Sequence, residues 1–367
     1  MSFPPRPSAE VPSGATPTAA AAPDSLCILR LSAIGDCCHT LPIVRSLQAA
    51  WPTTKLTWII GQTEHGLLQD TAGIEFVTFD KRRPWHSLMR IRRELAGRRF
   101  PVLLHLHASM RANWVSLVVP ADRRIGYDRE RARDGQSWFT TERIAARPGQ
   151  HVIDGLFGFL EHLGIHERVL RWDIPLGEAD RQFASVHSAG DAPLVLISPC
   201  SSQRARNFRN WRVERWVELA ARLVRERHAR VLVTGGRTAI EREYAEAITA
   251  VAPAHITNLV GATTLKQLLA LIDAADLLIC PDSGPAHLAT AVNTPVVGLY
   301  ATSNRHRTGP YLSQALVVDR YPQAVEKEFG KPVSALRWGQ RVRDPAAMDL
   351  IPVNEVFAAA SRVLDGA

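Results

Sequence analysis

The sequence has few cysteines, no long apolar run and no dinucleotide-binding glycine motif, and each absence argues against a class of protein. Its 367 residues include five cysteines without a CxxC pair, so a disulfide framework is not expected. Cys37-Cys38-His39 has no second ligand cluster at zinc-like spacing, so no metal site is predicted. No apolar stretch approaches the roughly 20 residues that span a bilayer. The pattern G-x-G-x-x-G follows no predicted strand, which argues against a nicotinamide oxidoreductase.

The chain does contain enough apolar residues for two domains, together with an excess of positive charge. Hydrophobic residues make up 46% and charged residues 22%, which is typical of a soluble globular protein. The length exceeds what one core usually holds. The formal net charge of +8 predicts an acidic partner such as nucleic acid, anionic lipid or a phosphorylated sugar. Residues 1–24, rich in Pro, Ala, Ser and Thr, lack the features of a signal peptide and predict a disordered tail.

Short β-type runs alternate with helical runs along the rest of the chain. Strands are expected at 26–31, 56–60, 75–79 and 102–106, and again at 194–198, 230–234, 277–280 and 296–300. An Arg-rich polar stretch at 121–147 and a looser segment at 171–191 lie between the two series. The repeated βα rhythm predicts an α/β protein with two parallel sheets.

Each half contains a polar turn between a predicted strand and a predicted helix. One turn includes Ser32, Gly35 and Asp36, and the other runs from Asp282 through Ser283 and Gly284 to His287. Unpaired amides and the helix dipole attract anions at such a helix start, and ligands of open α/β sheets bind at the carboxyl ends of strands. Asp36 can be a functional carboxylate or an ordinary helix cap. The rarer pattern from Asp282 to His287 favours ligand binding.

Two basic segments each allow two interpretations. Ser201, Ser202 and Arg209 follow the strand predicted at 194–198; hydroxyl and guanidinium groups suit a diphosphate, but a solvated basic loop has the same composition. The stretch from Lys81 to Arg99 combines arginines with an apolar stripe. It is either a membrane-surface helix or an ordinary helix that packs on its own domain.

Three motifs in this order resemble glycosyltransferase family 9, the heptosyltransferases of lipopolysaccharide core assembly. They are residues 28–36 with 39–42, residues 198–202 with Arg209-Asn210-Trp211, and residues 282–287. Residues 329–332 support a resemblance to the heptosyltransferase I subgroup. The resemblance implies a GT-B fold, with two Rossmann-like, doubly wound domains facing a cleft. The expected divisions are an acceptor domain at 25–185, a nucleotide-sugar domain at 186–350 and a C-terminal helix at 351–367 that packs back on the first domain.

The resemblance also implies an activity and the roles of individual residues. The implied reaction moves L-glycero-D-manno-heptose from ADP-heptose to Kdo of lipid A with inversion, and it requires no cofactor and no metal. Asp36 would be the general base. The implied donor-binding residues are Ser201, Ser202, Arg209, Asp282, Ser283, Gly284 and His287, and the implied acceptor-binding residues are Ser32, Gly35, Arg111 and Arg133. Arg209 replaces the lysine that is usual in the family.

The motifs leave the acceptor open, because heptosyltransferase II or another family 9 transferase fits the same pattern. A non-catalytic basic binding protein would leave Asp36 and Asp282 without a role, and no nucleic-acid-binding module is recognisable. The positive charge and the lack of a spanning segment predict a cytoplasmic protein. It would be peripheral at the cytoplasmic face of the inner membrane, where the acidic Kdo-lipid A acceptor lies.

Overall fold

The first half of the chain forms a parallel sheet with helices on both faces. The computed structural model describes residues 22–201 and 208–366. The first sheet has the order β3-β2-β1-β4-β5-β6. Its strands are β1 (Ser25–Leu29), β2 (Lys55–Gly61), β3 (Ile74–Phe79), β4 (Phe100–His105), β5 (Ala121–Gly126) and β6 (Glu142–Arg143). The helices are α1 (Ile34–Ala50), α2 (Gln62–Leu68), α3 (Pro84–Glu94), α4 (Met110–Leu117) and α5 (Val152–His162).

The second half repeats this arrangement. Its strands are β7 (Leu194–Ile197), β8 (Arg230–Val233), β9 (Ile256–Asn258), β10 (Leu277–Pro281), β11 (Val296–Tyr300) and β12 (Val318–Asp319). The order β12-β11-β10-β7-β8-β9, taken from its other end, is that of the first sheet. Its helices are α6 (Glu178–Ser188), α7 (Val213–Arg227), α8 (Ala239–Ala250), α9 (Leu265–Asp273), α10 (Gly284–Ala291), α11 (Arg305–Thr308), α12 (Tyr321–Phe329) and α13 (Val353–Leu364). Both units therefore have the Rossmann-like strand order.

The predicted alternation of strands and helices is confirmed, and the elements that were missed are short or polar. β5 and β6 lie in the Arg-rich polar stretch at 121–147, where no strand was predicted. Arg123 and Glu142 pair across them, with Nε and Oε1 2.7 Å apart, so this edge of the sheet has no apolar signature. α6 lies in the segment that was expected to be loose. It packs against α9, and the boundary expected at residue 185 falls inside it.

A shared apolar core joins the two domains. Leu41 and Leu47 of α1, Leu271 of α9 and Leu288 of α10 belong to one buried cluster, and α1 contacts α10 directly. Polar contacts supplement this core. His151 Nε2 lies 2.9 Å from the carbonyl oxygen of Gly309, and such contacts hold the carboxyl ends of both sheets against one cleft.

The C-terminal helix α13 packs on the second domain, which corrects the expectation that it returns to the first. Val356 and Ala360 of α13 share a buried cluster with Trp216 and Leu223 of α7, and α13 also contacts β10, β11 and β12. The physical reason is that α7 offers an apolar stripe that matches the one on α13. An earlier segment reaches the first domain, because the indole N–H of Trp338 donates to the Gln150 carbonyl at 2.8 Å.

Two predictions fall on residues outside the described ranges: the disordered tail, except for residues 22–24, and Ser202. Across the helices that the structure describes, none combines the length and the apolar character needed to cross a membrane.

Candidate active site

The first strand-to-helix connection holds Asp36 between an arginine and a backbone amide. Asp36 is the third residue of α1, and its Oδ2 accepts from the Ala33 N–H at 3.1 Å. The same oxygen lies 2.6 Å from Nη2 of Arg30. Arg30 follows β1, is 8% exposed, and also donates to the carbonyl oxygens of Leu106 and Ser32. Sequence analysis missed Arg30, although a cation at the buried end of a central strand was a usable signal.

The environment of Asp36 keeps its carboxylate ionised. Burial by itself raises the pKa of Asp36, but the charge of Arg30, the Ala33 amide and His287 together hold this pKa below its ordinary value. The side chain is still 36% exposed. An ionised and partly exposed carboxylate at the end of a central strand can accept a proton from a bound hydroxyl group.

The second strand-to-helix connection places Asp282, at the end of β10, against two cations. Arg209 Nη1 donates to the Asp282 carbonyl at 2.7 Å and lies 3.2 Å from Oδ2. The Ser303 hydroxyl donates to Oδ2 at 2.7 Å, and Arg341 lies 3.9 Å from it. Burial raises the pKa of Asp282, but the positive charges of Arg209 and Arg341 hold it below its ordinary value. The structure thus brings Arg209 and Asp282 together, while their role in donor binding remains a prediction.

The start of α10 lies beside this pair and opens to the cleft. Ser283 is the N-cap and Gly284 the first residue of the helix. No described atom lies within 4 Å of the point where a Gly284 Cβ would sit. Ser201 is nearly buried, and its N–H and hydroxyl groups both donate to Asn210 Oδ1, at 2.8 and 3.0 Å. An open helix N-terminus next to a cation suits an anionic group.

His287 connects the turns of Asp36 and Asp282. Its ring centroid lies 4.4 Å from that of His39, and a Cβ on Gly35 would lie 2.2 Å from its Cδ2, so the close approach of the domains requires a glycine there. Burial lowers the pKa of His287, although both aspartates raise it. Its Nδ1 has no hydrogen-bond partner within the described ranges. The His287 ring is therefore close enough to both carboxylates for their charges to act on its pKa.

The residues predicted to bind the acceptor occupy separate places. Ser32 and Arg111 line a cavity of about 300 Å³ that Glu64, Lys81 and Arg82 also line. Gly35 instead lies against His287. Arg133 lies beside Gly339 of the second domain. The structure thus places Ser32 and Arg111 at one cavity, whose lining does not include Arg133.

Two charged residues of the cleft escaped sequence analysis because no motif contains them. Arg307 of α11 is close enough to Asp36 and Asp282 for both carboxylates to act on its pKa. Glu64 is 7% exposed at the wall of the cavity, and burial raises its pKa. Within the described ranges, no group of three or more His, Cys, Asp and Glu side chains is placed to hold a metal ion.

Known proteins match both the sequence and the fold. The profile of glycosyltransferase family 9 (heptosyltransferase) matches residues 88–338. The chain is 39% identical over 336 residues to the lipopolysaccharide core heptosyltransferase OpsX of Haemophilus influenzae, and the match covers 92% of this chain and 96% of that protein.

Two solved structures share the architecture. The family 9 glycosyl transferase of Veillonella parvula superposes with a TM-score of 0.76 at 22% identity, over 95% of this chain and all of the other. The E. coli heptosyltransferase WaaC with ADP gives 0.70 at 18% identity, over 92% and 99% of the two chains. These matches identify the fold as GT-B. The profile match over most of the chain and the 39% identity to a relative across nearly its whole length show that this glycosyltransferase belongs to family 9, the heptosyltransferase family.

Proposed function

We propose that the protein transfers L-glycero-D-manno-heptose from ADP-heptose to Kdo of lipid A, with inversion at the anomeric carbon. One observation carries the proposal: the turn of Asp36 and the turn of Asp282, from different domains, meet where Gly35 lies against the His287 ring. An ionised carboxylate on the acceptor side and an open helix start on the donor side are what inverting transfer of a nucleotide sugar requires. The relatives support this proposal. One is a lipopolysaccharide core heptosyltransferase, and a structural neighbour, also a heptosyltransferase, was solved with ADP.

The donor binds in the second domain. Its diphosphate lies at the N-terminus of α10, where Ser283 and Gly284 present backbone amides, and Ser201 and Ser202 belong to the same donor site. Supporting this, Asp282 fixes the guanidinium of Arg209 beside the helix start. The charge of Arg209 then stabilises the negative charge that develops on the leaving ADP.

The acceptor binds in the first domain, in the cavity lined by Arg111 and by Ser32 of the turn that also contains Asp36. As the Kdo oxygen bonds to the anomeric carbon, its proton moves to Asp36 and the bond from that carbon to the ADP oxygen breaks. Arg30 keeps Asp36 ionised, so the base is in its active form at neutral pH. A carboxylate of low pKa suffices because the hydroxyl becomes acidic only as the new bond forms.

The first domain also supplies a surface for the membrane that contains the acceptor lipid. Ile91 and Leu95 of α3 pack into the core of the first domain, as the ordinary-helix interpretation expected. On the outer side of α3 and α4, however, Trp85 is 73%, Met89 55% and Trp114 48% exposed. Exposed arginines flank these residues and form no ion pair with any described residue: Arg82, Arg83, Arg92, Arg93 and Arg111.

Aromatic side chains rimmed by arginines are typical of proteins that bind at an anionic bilayer surface. Arg90, by contrast, donates to Thr78 and pairs with Glu94, so it is not part of this rim. We therefore place the protein at the cytoplasmic face of the inner membrane, with the outer side of α3 and α4 against the lipid.

The decisive experiment incubates the purified protein with ADP-heptose and de-acylated Kdo-lipid A and measures ADP release. Mass spectrometry should show the acceptor gaining one heptose, and NMR should show the inverted anomeric configuration. Kdo, phospho-Kdo and a heptosylated inner core, tested in parallel, identify the preferred acceptor. Release of ADP without a heptosylated product from any of them would contradict the proposal.

A further inference from the structure

Two arginines from different domains lie against the same glycine, Gly339, in the cleft. Arg133 lies between β5 and β6 of the first domain, and Arg307 lies on α11 of the second. A Cβ at Gly339 would lie 3.5 Å from Nη2 of Arg133 and 3.3 Å from Nε of Arg307. Both guanidinium groups therefore pack against Gly339 and lie close to each other across the domain boundary.

Among the described residues, these two arginines differ from Arg30 and Arg209 in having no ion-pair partner. Arg30 pairs with Asp36, and Arg209 pairs with Asp282. Among the residues that the structure describes, neither Arg133 nor Arg307 forms an ion pair or donates a side-chain hydrogen bond. Arg307 is also largely withdrawn from solvent.

The electrostatic environment of Arg307 also favours a bound anion. Burial and the charge of Arg133 lower the pKa of Arg307, although Asp36 and Asp282 oppose that shift from longer range. Two like charges in a partly desolvated cleft repel each other unless an anion lies between them.

We propose that Arg133 and Arg307 form an oxyanion-binding site that spans the two domains and takes a phosphate or carboxylate group of a substrate. Guanidinium groups bind such oxyanions through paired N–H donors. The anion comes either from the diphosphate of the donor or from the acidic group of the acceptor. The identity of these two candidate groups rests on the proposed function, whereas the assignment of an oxyanion as the ligand does not. Because the arginines belong to different domains, the bound anion also links the domains.

The test measures two constants in Arg133→Gln and Arg307→Gln: the Kd for ADP by calorimetry, and the KM for de-acylated Kdo-lipid A at saturating ADP-heptose. Loss of a charged hydrogen bond should raise one of them by about tenfold or more. A weaker Kd for ADP identifies the diphosphate, and a higher KM at unchanged Kd identifies the acceptor group. Arg181→Gln is the matched control, because Arg181 is exposed on α6 and forms no ion pair with a described residue.

Two further variants separate anion binding from a structural role. Gly339→Val keeps both charges, but its side chain would displace the two guanidinium groups, so it should raise the same constant. Arg307→Lys should retain part of the affinity that Arg307→Gln loses. Thermal melts establish that each variant is folded. If both glutamine variants stay within twofold of the wild type in both constants, the site is refuted. A shifted pH profile at unchanged affinities also refutes it, because Arg307 would then act only through Asp36.

A titration of the wild type and Arg307→Gln with inorganic pyrophosphate distinguishes failure of this inference from failure of the proposed function. Pyrophosphate binding that depends on Arg307, in a protein that transfers no heptose, supports the site and contradicts the proposed function. Heptose transfer by glutamine variants with unchanged constants contradicts the site alone.

Discussion

Nη2 of Arg30 lies 2.6 Å from Oδ2 of Asp36, and the protein backbone fixes both groups. The guanidinium donates to the Leu106 and Ser32 carbonyls, and the carboxylate accepts from the Ala33 amide. Asp36 is therefore held in one orientation with its charge neutralised on one side. The exposed part of the carboxylate remains available to a substrate in the cleft.

Replacing Asp36 with asparagine should abolish transfer while preserving donor binding. Asparagine keeps the shape of the side chain but cannot take up a proton, so turnover should fall by at least ~10²-fold, a usual contribution of general-base catalysis. Turnover is measured as ADP release and donor affinity as the Kd for ADP. Near-normal turnover of the variant would assign the base to another residue.

Replacing Arg30 with glutamine should shift the acid limb of the pH–rate profile upward. The charge of Arg30 lowers the pKa of Asp36, so its loss raises that pKa, and the base becomes protonated at a higher pH. The pH at which activity falls to half on the acid side should therefore be higher in the variant than in the wild type. Arg30→Lys keeps the charge and should retain most of the wild-type profile. An unchanged acid limb in a folded Arg30→Gln protein would mean that Asp36 does not control this limb.

The same pair predicts how stability depends on pH. The folded-state pKa of Asp36 is below its ordinary value of 3.8, so its ionisation stabilises the fold above that pH. This contribution is lost as the pH falls through the folded-state pKa. The difference in unfolding free energy between the wild type and Arg30→Gln should therefore be largest at neutral pH and shrink as the pH falls below 3.8 towards the folded-state pKa. Urea titrations across this range measure it, and a constant difference would argue against the ion pair.

Substitutions at Arg209 and Asp282 should weaken donor binding. Arg209→Ala removes a charged hydrogen-bond donor beside the start of α10, which should cost about 1.5–3 kcal/mol of affinity for ADP. Arg209→Lys restores the charge and should recover part of it. Arg212→Ala is the control, because Arg212 is an exposed neighbour that pairs with Asp349. If Arg209→Ala and Asp282→Ala both bind ADP like the wild type, the donor site lies elsewhere.

Gly35→Ala should loosen the contact between the domains. The new Cβ would lie 2.2 Å from His287 Cδ2, so the ring or the backbone must move, at a cost of roughly 1–3 kcal/mol for overpacking. Calorimetry should record a lower Tm. A second substitution, His287→Ala, should reverse much of the loss because it removes the clashing ring. Gly66→Ala, where no described atom lies within 4 Å of the added Cβ, should leave Tm unchanged or slightly higher.

Binding to anionic vesicles should depend on the outer side of α3 and α4. The variants Trp85→Ser/Trp114→Ser and Arg92→Glu/Arg93→Glu should each sediment less with phosphatidylglycerol vesicles, and physiological salt should weaken binding further. Quenching of wild-type tryptophan fluorescence by brominated lipids reports insertion. Arg181→Glu/Val186→Ser, on α6, is the control. Vesicle binding that neither test variant changes would show that this surface is merely solvated.

The sequence by itself determined the two-sheet architecture and the two polar turns that contain Asp36 and Asp282. Strands that are buried on both faces must be apolar along their length, and the turns that follow them are local, so Asp36 and Asp282 could be identified without coordinates. The prediction that Arg209 and Asp282 belong to one donor site came from the resemblance and not from spacing, and only the structure shows that they are in contact.

Only the tertiary structure decided which charges meet and where the last helix packs. A surface arginine and a buried one look alike in a sequence, so nothing distinguished Arg307 from its neighbours. Arg133 and Arg307 both lie against Gly339 only because the shared core of α1 and α10 holds the two domains together. The apolar stripe of α13 would fit either domain, and the complementary stripe on α7 settles the choice. Such contacts join residues distant in the chain, so side-chain packing in three dimensions fixes them, and local pattern does not.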